Sequence, residues 1–272
     1  MNASQAAQRA SGSSFYRGMR ILPPPQREAM FEIYSFCRAV DDIADDPGPR
    51  DPRREQLQAW RANIDAIYAG SPPAALAGLA QAVKAFGLKR DDFLAVIDGM
   101  EMDVDADIRA PDWPTLELYC DRVACAVGRL SVRVFGMEER AGLALARELG
   151  GALQLTNILR DLDEDAAMGR LYLPREALCD SGIISTDPAA VLANPMLGEA
   201  CKALVSRARE HFRQANAIMA KSSRRVVRAP RIMGEAYRAI LDKLVARGFA
   251  PPRQPVRHSR VQLLFILLRN LM

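Results

Sequence analysis

Residues 29–46 read AMFEIYSFCRAVDDIADD, an apolar run that ends in Asp41, Asp42, Asp45 and Asp46, four carboxylates within six residues. Within it Tyr34, Arg38, Asp41 and Asp45 step by 4, 3 and 4, the spacing that lines side chains along one face of an α-helix. The prolines at 23–25 are tolerated at a helix start, and Pro47-Gly48-Pro49 cannot continue one. The stretch therefore predicts a helix that buries one face and carries a polar stripe on another.

Working outward, the chain reads as helices with almost no strand signal. Asp51 before Pro52 predicts a capped helix that closes at Gly70. Comparable punctuation predicts helices near 74–86, 90–102, 113–135, 138–165, 196–221, 224–247 and 259–271, about nine in all. In 138–165, Leu145, Leu149, Ala152, Leu159 and Leu162 fall on one helical face, and the same segment carries a second polar stripe. Gln154, Asn157, Asp161 and Asp165 step by 3, 4 and 4. No fixed-period repeat is present, so the expectation is an all-α bundle forming a single domain over 1–272, with 1–13 flexible.

Composition limits what such a bundle does. At 272 residues, 49% hydrophobic and 26% charged, the chain can bury a large core. Five cysteines and two histidines, scattered without ligand spacing, indicate neither a disulfide framework nor a zinc site, which points to a reducing cytoplasm. The N-terminus lacks the apolar run of a signal peptide, and no window reaches the roughly 18–20 apolar residues of a spanning helix. Nucleic-acid binding is not expected, because interleaved stacking aromatics and known modules are absent. Charge is uneven: from Lys202 onward there are 16 Lys and Arg against 3 Asp and Glu, whereas the preceding part has 21 against 30. Such a basic third suggests an anionic partner such as phosphate or a membrane surface.

Two aspartates one helical turn apart suit a hard divalent cation. Mg²⁺ takes oxygen ligands, usually one or two carboxylates completed by water and substrate phosphate. Two such helices facing each other would clamp a diphosphate, with Arg38, Arg160 and Arg170 nearby for its oxygens. The plainer reading of either cluster alone is a solvated helix end. A calcium loop at Asp161, Asp163 and Asp165 fails, since Ala166 stands where a glycine is needed and Tyr172 where a glutamate is needed. A helical membrane-surface adaptor would explain the basic third but leaves both aspartate pairs unexplained. Asp41-Asp42-Ile43-Ala44-Asp45 also fits the short DDxxD of head-to-tail prenyltransferases and terpene cyclases, whereas the second stripe, with Asn157, departs from it.

These residues resemble the squalene and phytoene synthases, which join two prenyl diphosphates head to head. YSFCRAVDDIAD (34–45) and QLTNILRDLDEDAAMGRLYLP (154–174) match that family's two Asp-rich motifs, including Arg170, Tyr172 and Pro174. YCDRVACAVG (119–128) is similar to its tyrosine-bearing signature, with Cys125 where many members have glycine. The resemblance implies a class I isoprenoid synthase bundle around an apolar cavity. It implies two or three Mg²⁺ held by Asp41, Asp45, Asn157, Asp161 and Asp165. Ser14, Phe15, Arg38, Gln154, Asn157, Arg160, Arg170 and Tyr237 would bind substrate, with Tyr34, Tyr119 and Tyr172 beside the reacting carbons.

The stretches SSFYRGMRILP (13–23), REAMFEIYSFCRAVDDIAD (27–45) and DGMEMD (98–103) look like the bacterial hopanoid-pathway members. That likeness implies condensation of two farnesyl diphosphates to presqualene diphosphate, which separate squalene-forming enzymes would take onward, and no NADPH. Phytoene, squalene or dehydrosqualene synthesis are the alternatives. The segment 253–272 places arginines before the eight residues Val261 to Leu268, of which only Gln262 is polar. Eight residues cannot span a bilayer, so a final core helix or a peripheral foot on anionic membrane is expected.

Overall fold

The computed structural model of the chain describes Met19, residues 21–257, Ile266 and Asn270. Ser14, Phe15, the stretch 1–13 and most of the expected helix 259–271 lie outside these residues. The elements are α1 (Pro24–Ala44), α2 (Arg50–Tyr68), a 3₁₀ turn (Ala74–Leu76), α3 (Ala77–Phe86), α4 (Arg90–Asp105), α5 (Trp113–Cys120), a π turn (Asp121–Cys125), α6 (Ala126–Phe135), α7 (Glu139–Arg160), α8 (Leu162–Ala167), α9 (Arg175–Asp180), α10 (Pro188–Ala193), α11 (Leu197–Ala220) and α12 (Arg224–Arg247). The all-α expectation holds: among the described residues the sole β pairing is an isolated bridge between Arg109 and Leu171.

In α1, Met30, Ile33, Val40 and Ala44 recur at helical spacing and are buried. Phe36 meets Trp60 of α2 and Phe93 of α4 edge-on, at 5.5 and 5.2 Å between centroids. Around them α1–α4 and α6 enclose one apolar cluster. A second gathers α5, α7 and α9–α12, and it takes in Leu145, Leu149, Ala152, Leu159 and Leu162. Helix α7 is the centre of the molecule, packed along α11, α6 and α12. It approaches the π turn so closely that a Cβ at Gly150 would lie 2.8 Å from Cys125 Cα, so only glycine fits there.

Several boundaries differ from the expectation. The segment 113–135 is helical throughout but contains the π turn, an insertion that periodicity does not reveal. The expected helix 138–165 breaks at Asp161 (φ −99°, ψ 14°), after which α8 starts afresh. Hydrogen bonds from Asp161 N to Asn157 O and from Asp165 N to Asp161 O nonetheless carry the i, i+4 register across the break, so the stripe survives. Asp51 lies in the first turn of α2 and does not cap it. The short helices α9 and α10 were not expected, because one or two turns show no periodicity. Beyond α12, Ile266 is buried against Ile232 and Ala236, as a core contact would require.

Candidate active site

Between the two clusters lies a cavity of about 740 Å³, toward the upper end of ordinary ligand pockets. One end is polar and the body is apolar, walled by residues such as Ile33, Val96, Val127, Leu149, Leu153 and Met233. Tyr34, Arg38, Asp41, Asp45, Tyr119, Gln154, Asn157, Arg160, Asp161, Asp165, Arg170, Tyr172 and Tyr237 all line this one space. Every candidate residue that falls within the described part of the chain is thus brought to the same cavity. The stripes of α1 and of α7–α8 supply its two acidic walls.

The arginines are already engaged. Arg38 donates to Asp41 and Asp42 at 2.5 and 2.6 Å. Arg160 grips both oxygens of Asp161 at 2.7 and 2.6 Å and shares a hydrogen bond with Tyr237. Arg170 is buried; it donates to Asp45 at 2.6 Å and to Ala44 O at 2.7 Å, satisfying a carbonyl left open at the end of α1. Its position follows from an extended stretch: Leu171 N donates to Ile108 O, and Ala110 N to Leu171 O, at 2.7 and 2.9 Å. Side chains alternate along an extended chain, so Arg170 and Tyr172 line the cavity while Leu171 and Leu173 enter the core.

The carboxylates repel one another. Burial, reinforced by Asp45, pushes the Asp41 carboxyl up to about 6. Its side chain keeps 38% of its surface open, and that surface meets the cavity. Burial and the neighbouring Asp161 carry Asp165 to about 8. Concentrated negative charge that three arginines only partly offset is what a divalent cation would neutralise.

Asn157 supplies a more local indication, since its Oδ1 is buried without a hydrogen-bond partner beside this wall. An orphaned amide oxygen with Asp161 and Asp165 on the following turns is an all-oxygen donor set that fits Mg²⁺. No group of three or more His, Cys, Asp or Glu among the described residues could hold a metal by itself. Water and substrate oxygens would complete the coordination, as Mg²⁺ prefers.

Among the carboxylates of the cavity wall, two lie outside the expected site residues, Asp103 and Glu164. Asp103, 4% exposed on α4, accepts hydrogen bonds from Tyr172 Oη at 2.6 Å and Tyr119 Oη at 3.0 Å. The two rings stack at 4.8 Å, inclined by 23°. DGMEMD (98–103) carried the residue in plain view, but nothing local marks its last aspartate as facing two tyrosines far along the chain.

Two Asp stripes, a stacked tyrosine pair and an apolar body in one cavity agree with what the profile of the squalene/phytoene synthases finds, a match over residues 8–263. The chain belongs to the squalene/phytoene synthase family. Among its relatives, presqualene diphosphate synthase of Rhodopseudomonas palustris is 60% identical over 260 residues, covering 96% of this chain and 93% of that protein. Phytoene synthase 2 of Solanum lycopersicum is more distant, at 34% identity over 87% of this chain and 78% of that protein. Squalene synthase HpnC from Alicyclobacillus acidocaldarius superposes with a TM-score of 0.81 at 26% identity, covering 92% of this chain and 95% of that one. A dehydrosqualene synthase superposes with 0.85 at 22% identity, covering 98% and 94%, which shows the shared all-α fold of the family.

Proposed function

We propose that this chain condenses two farnesyl diphosphates head to head to presqualene diphosphate, releasing diphosphate and working as one helical unit. The observation that carries this reading is one cavity in which two acidic, arginine-bearing walls meet an apolar body. The near-full-length identity to a presqualene diphosphate synthase, well above that to phytoene synthases, supports this product over phytoene.

Asp41 and Asp45 on one wall, with Asn157, Asp161 and Asp165 on the other, would hold Mg²⁺. Bound there, the metal supplies neutralisation of charge on the departing diphosphate oxygens. Arg38, Arg160 and Arg170 hold phosphate oxygens that arrive with substrate, exchanging their present carboxylate partners for charge-assisted bonds to phosphate. As the donor's C1–O bond breaks, the allylic cation lies near Tyr34, Tyr119 and Tyr172, whose ring faces and hydroxyl oxygens favour positive charge. The apolar wall keeps water from the cation until the C2=C3 bond of the second chain attacks it. Loss of a proton then closes the cyclopropane.

Incubation with farnesyl diphosphate and Mg²⁺, with and without NADPH, should give presqualene diphosphate by mass in both. Turnover of geranylgeranyl diphosphate alone, to phytoene, would refute the reading. Squalene formed only with NADPH would show that the enzyme also reduces.

The substrate and product are greasy anions, and the basic third, with Arg224 and Arg225 exposed at the start of α12, is suited to anionic lipid. No helix among the described residues is long and apolar enough to cross a membrane. The hypothesis is reversible binding to the inner membrane surface. Co-sedimentation should recover more protein with phosphatidylglycerol vesicles than with phosphatidylcholine, and salt should erase the difference. Equal recovery with both, at any salt, would refute binding to anionic membrane.

A further inference from the structure

The Asp103–Tyr119–Tyr172 cluster brings together α4, α5 and the extended stretch after α8, and it lies in the wall of the cavity. Each carboxylate oxygen takes one tyrosine hydrogen, and the two hydroxyl oxygens are 3.3 Å apart. With both hydrogens directed at Asp103, the tyrosines have lone pairs left to offer the cavity. A neutral phenol is nonetheless a very weak base: it accepts a proton only if it gives up its own in the same motion. Tyrosinate is no substitute, because burial pushes both hydroxyls well above the ordinary tyrosine range.

We infer that Asp103 is the proton acceptor of the ring-closing step, reached through a tyrosine hydroxyl. The inference rests on the proposed condensation. After C1 of the donor chain has bonded to C2 of the acceptor, the positive charge resides on the acceptor's C3. A C1–H bond breaks, and its electron pair forms the C1–C3 bond that closes the cyclopropane. The proton goes to the tyrosine oxygen while that tyrosine's own proton passes along its hydrogen bond to Asp103. The substrate loses one proton, the carboxylate becomes a carboxylic acid, and no oxidant or reductant is needed. The proton returns by the same hydrogen bond and leaves with the released diphosphate.

The surroundings suit the role. Arg170 and the two hydroxyls favour the carboxylate, while burial and the charge of Asp45 oppose it; Asp41 and Asp165 also feel its charge. Burial dominates and lifts the Asp103 carboxyl to about 6, so it is ionised at neutral pH yet a better base than an exposed aspartate.

The experiment follows how consumed substrate is partitioned. Asp103→Asn keeps the shape and cannot take a proton. It should cut cyclopropane product by about 100-fold or more, while diphosphate release falls far less and the cation is diverted to prenyl alcohol. With substrate deuterated at C1, the isotope effect on product should exceed that of the wild type. The double variant Tyr119→Phe/Tyr172→Phe, which keeps the carboxylate, should show the same diversion, and Asp103→Glu should restore the wild-type ratio of product to diphosphate. An unchanged ratio in either Asp103→Asn or the double variant would overturn the inference. The assay uses whichever prenyl diphosphate the wild type consumes, so a different chain length would correct the proposed function and leave the proton-transfer test intact.

Discussion

Asp161→Asn and Asp41→Asn should each lower turnover by about 10²–10³-fold, with helical circular dichroism unchanged. Each removes an anionic oxygen from a wall proposed to hold Mg²⁺, and an amide cannot replace that charge. Asp161→Asn also deprives Arg160 of its two-pronged partner. Asp46, which accepts a hydrogen bond from Gly48 N, and Asp163, held by Arg253, lie off the cavity. Asn at either should keep turnover within a few-fold. Near-normal turnover in both stripe variants would mean that these carboxylates are only a solvated face.

The same wall should show its repulsion in stability. The Asp165 carboxyl is raised in the fold from 3.8 to about 8, so the stability it contributes is present below about pH 4 and is lost as pH rises toward 8. Metal-free protein should therefore melt lower at pH 8 than at pH 6. Asp165→Asn should flatten that slope while abolishing turnover, and Mg²⁺ should raise the melting temperature of the wild type more than that of the variant. A wild-type melting temperature that climbs with pH over this range would contradict the account.

Arg170→Met should inactivate with the opposite effect on stability. The guanidinium is buried and ties Asp45 and Ala44 O, at the end of α1, to the extended stretch that carries Tyr172. Breaking a buried ion pair usually costs about 3–5 kcal/mol. Asp45 is 41% exposed and can turn to water, so about 2 kcal/mol is expected here, a fall in Tm of roughly 4–8 °C. Turnover should fall by about 10²-fold or more, because a phosphate-binding charge is lost and the alignment of Tyr172 loosens. The pair of results separates the roles: the Asp165 variant inactivates and stabilises, the Arg170 variant inactivates and destabilises. An Arg170→Met protein that melts as the wild type does would show that the link between α1 and this stretch contributes nothing.

The sequence by itself determined the longer helices and the two stripes. Helical periodicity is a local property, so the steps from Tyr34 to Asp45 and from Gln154 to Asp165 can be read without knowing what either faces. The long motifs did the same for the family, which the 8–263 match bears out. What α1 faces across the cavity, and that Tyr34, Tyr119, Tyr172 and Tyr237 share it, only the packing of α1, α5, α7, α12 and the extended stretch after α8 decided. The break at Asp161 and the π turn after Cys120 are absent from any pattern because tertiary contacts, such as Gly150 against Cys125, select them over a regular helix. Asp103 is the clearest case. Its partners lie 16 and 69 residues away in the chain, and a carboxylate's partner at that distance is set by how helices cross, which no local spacing encodes.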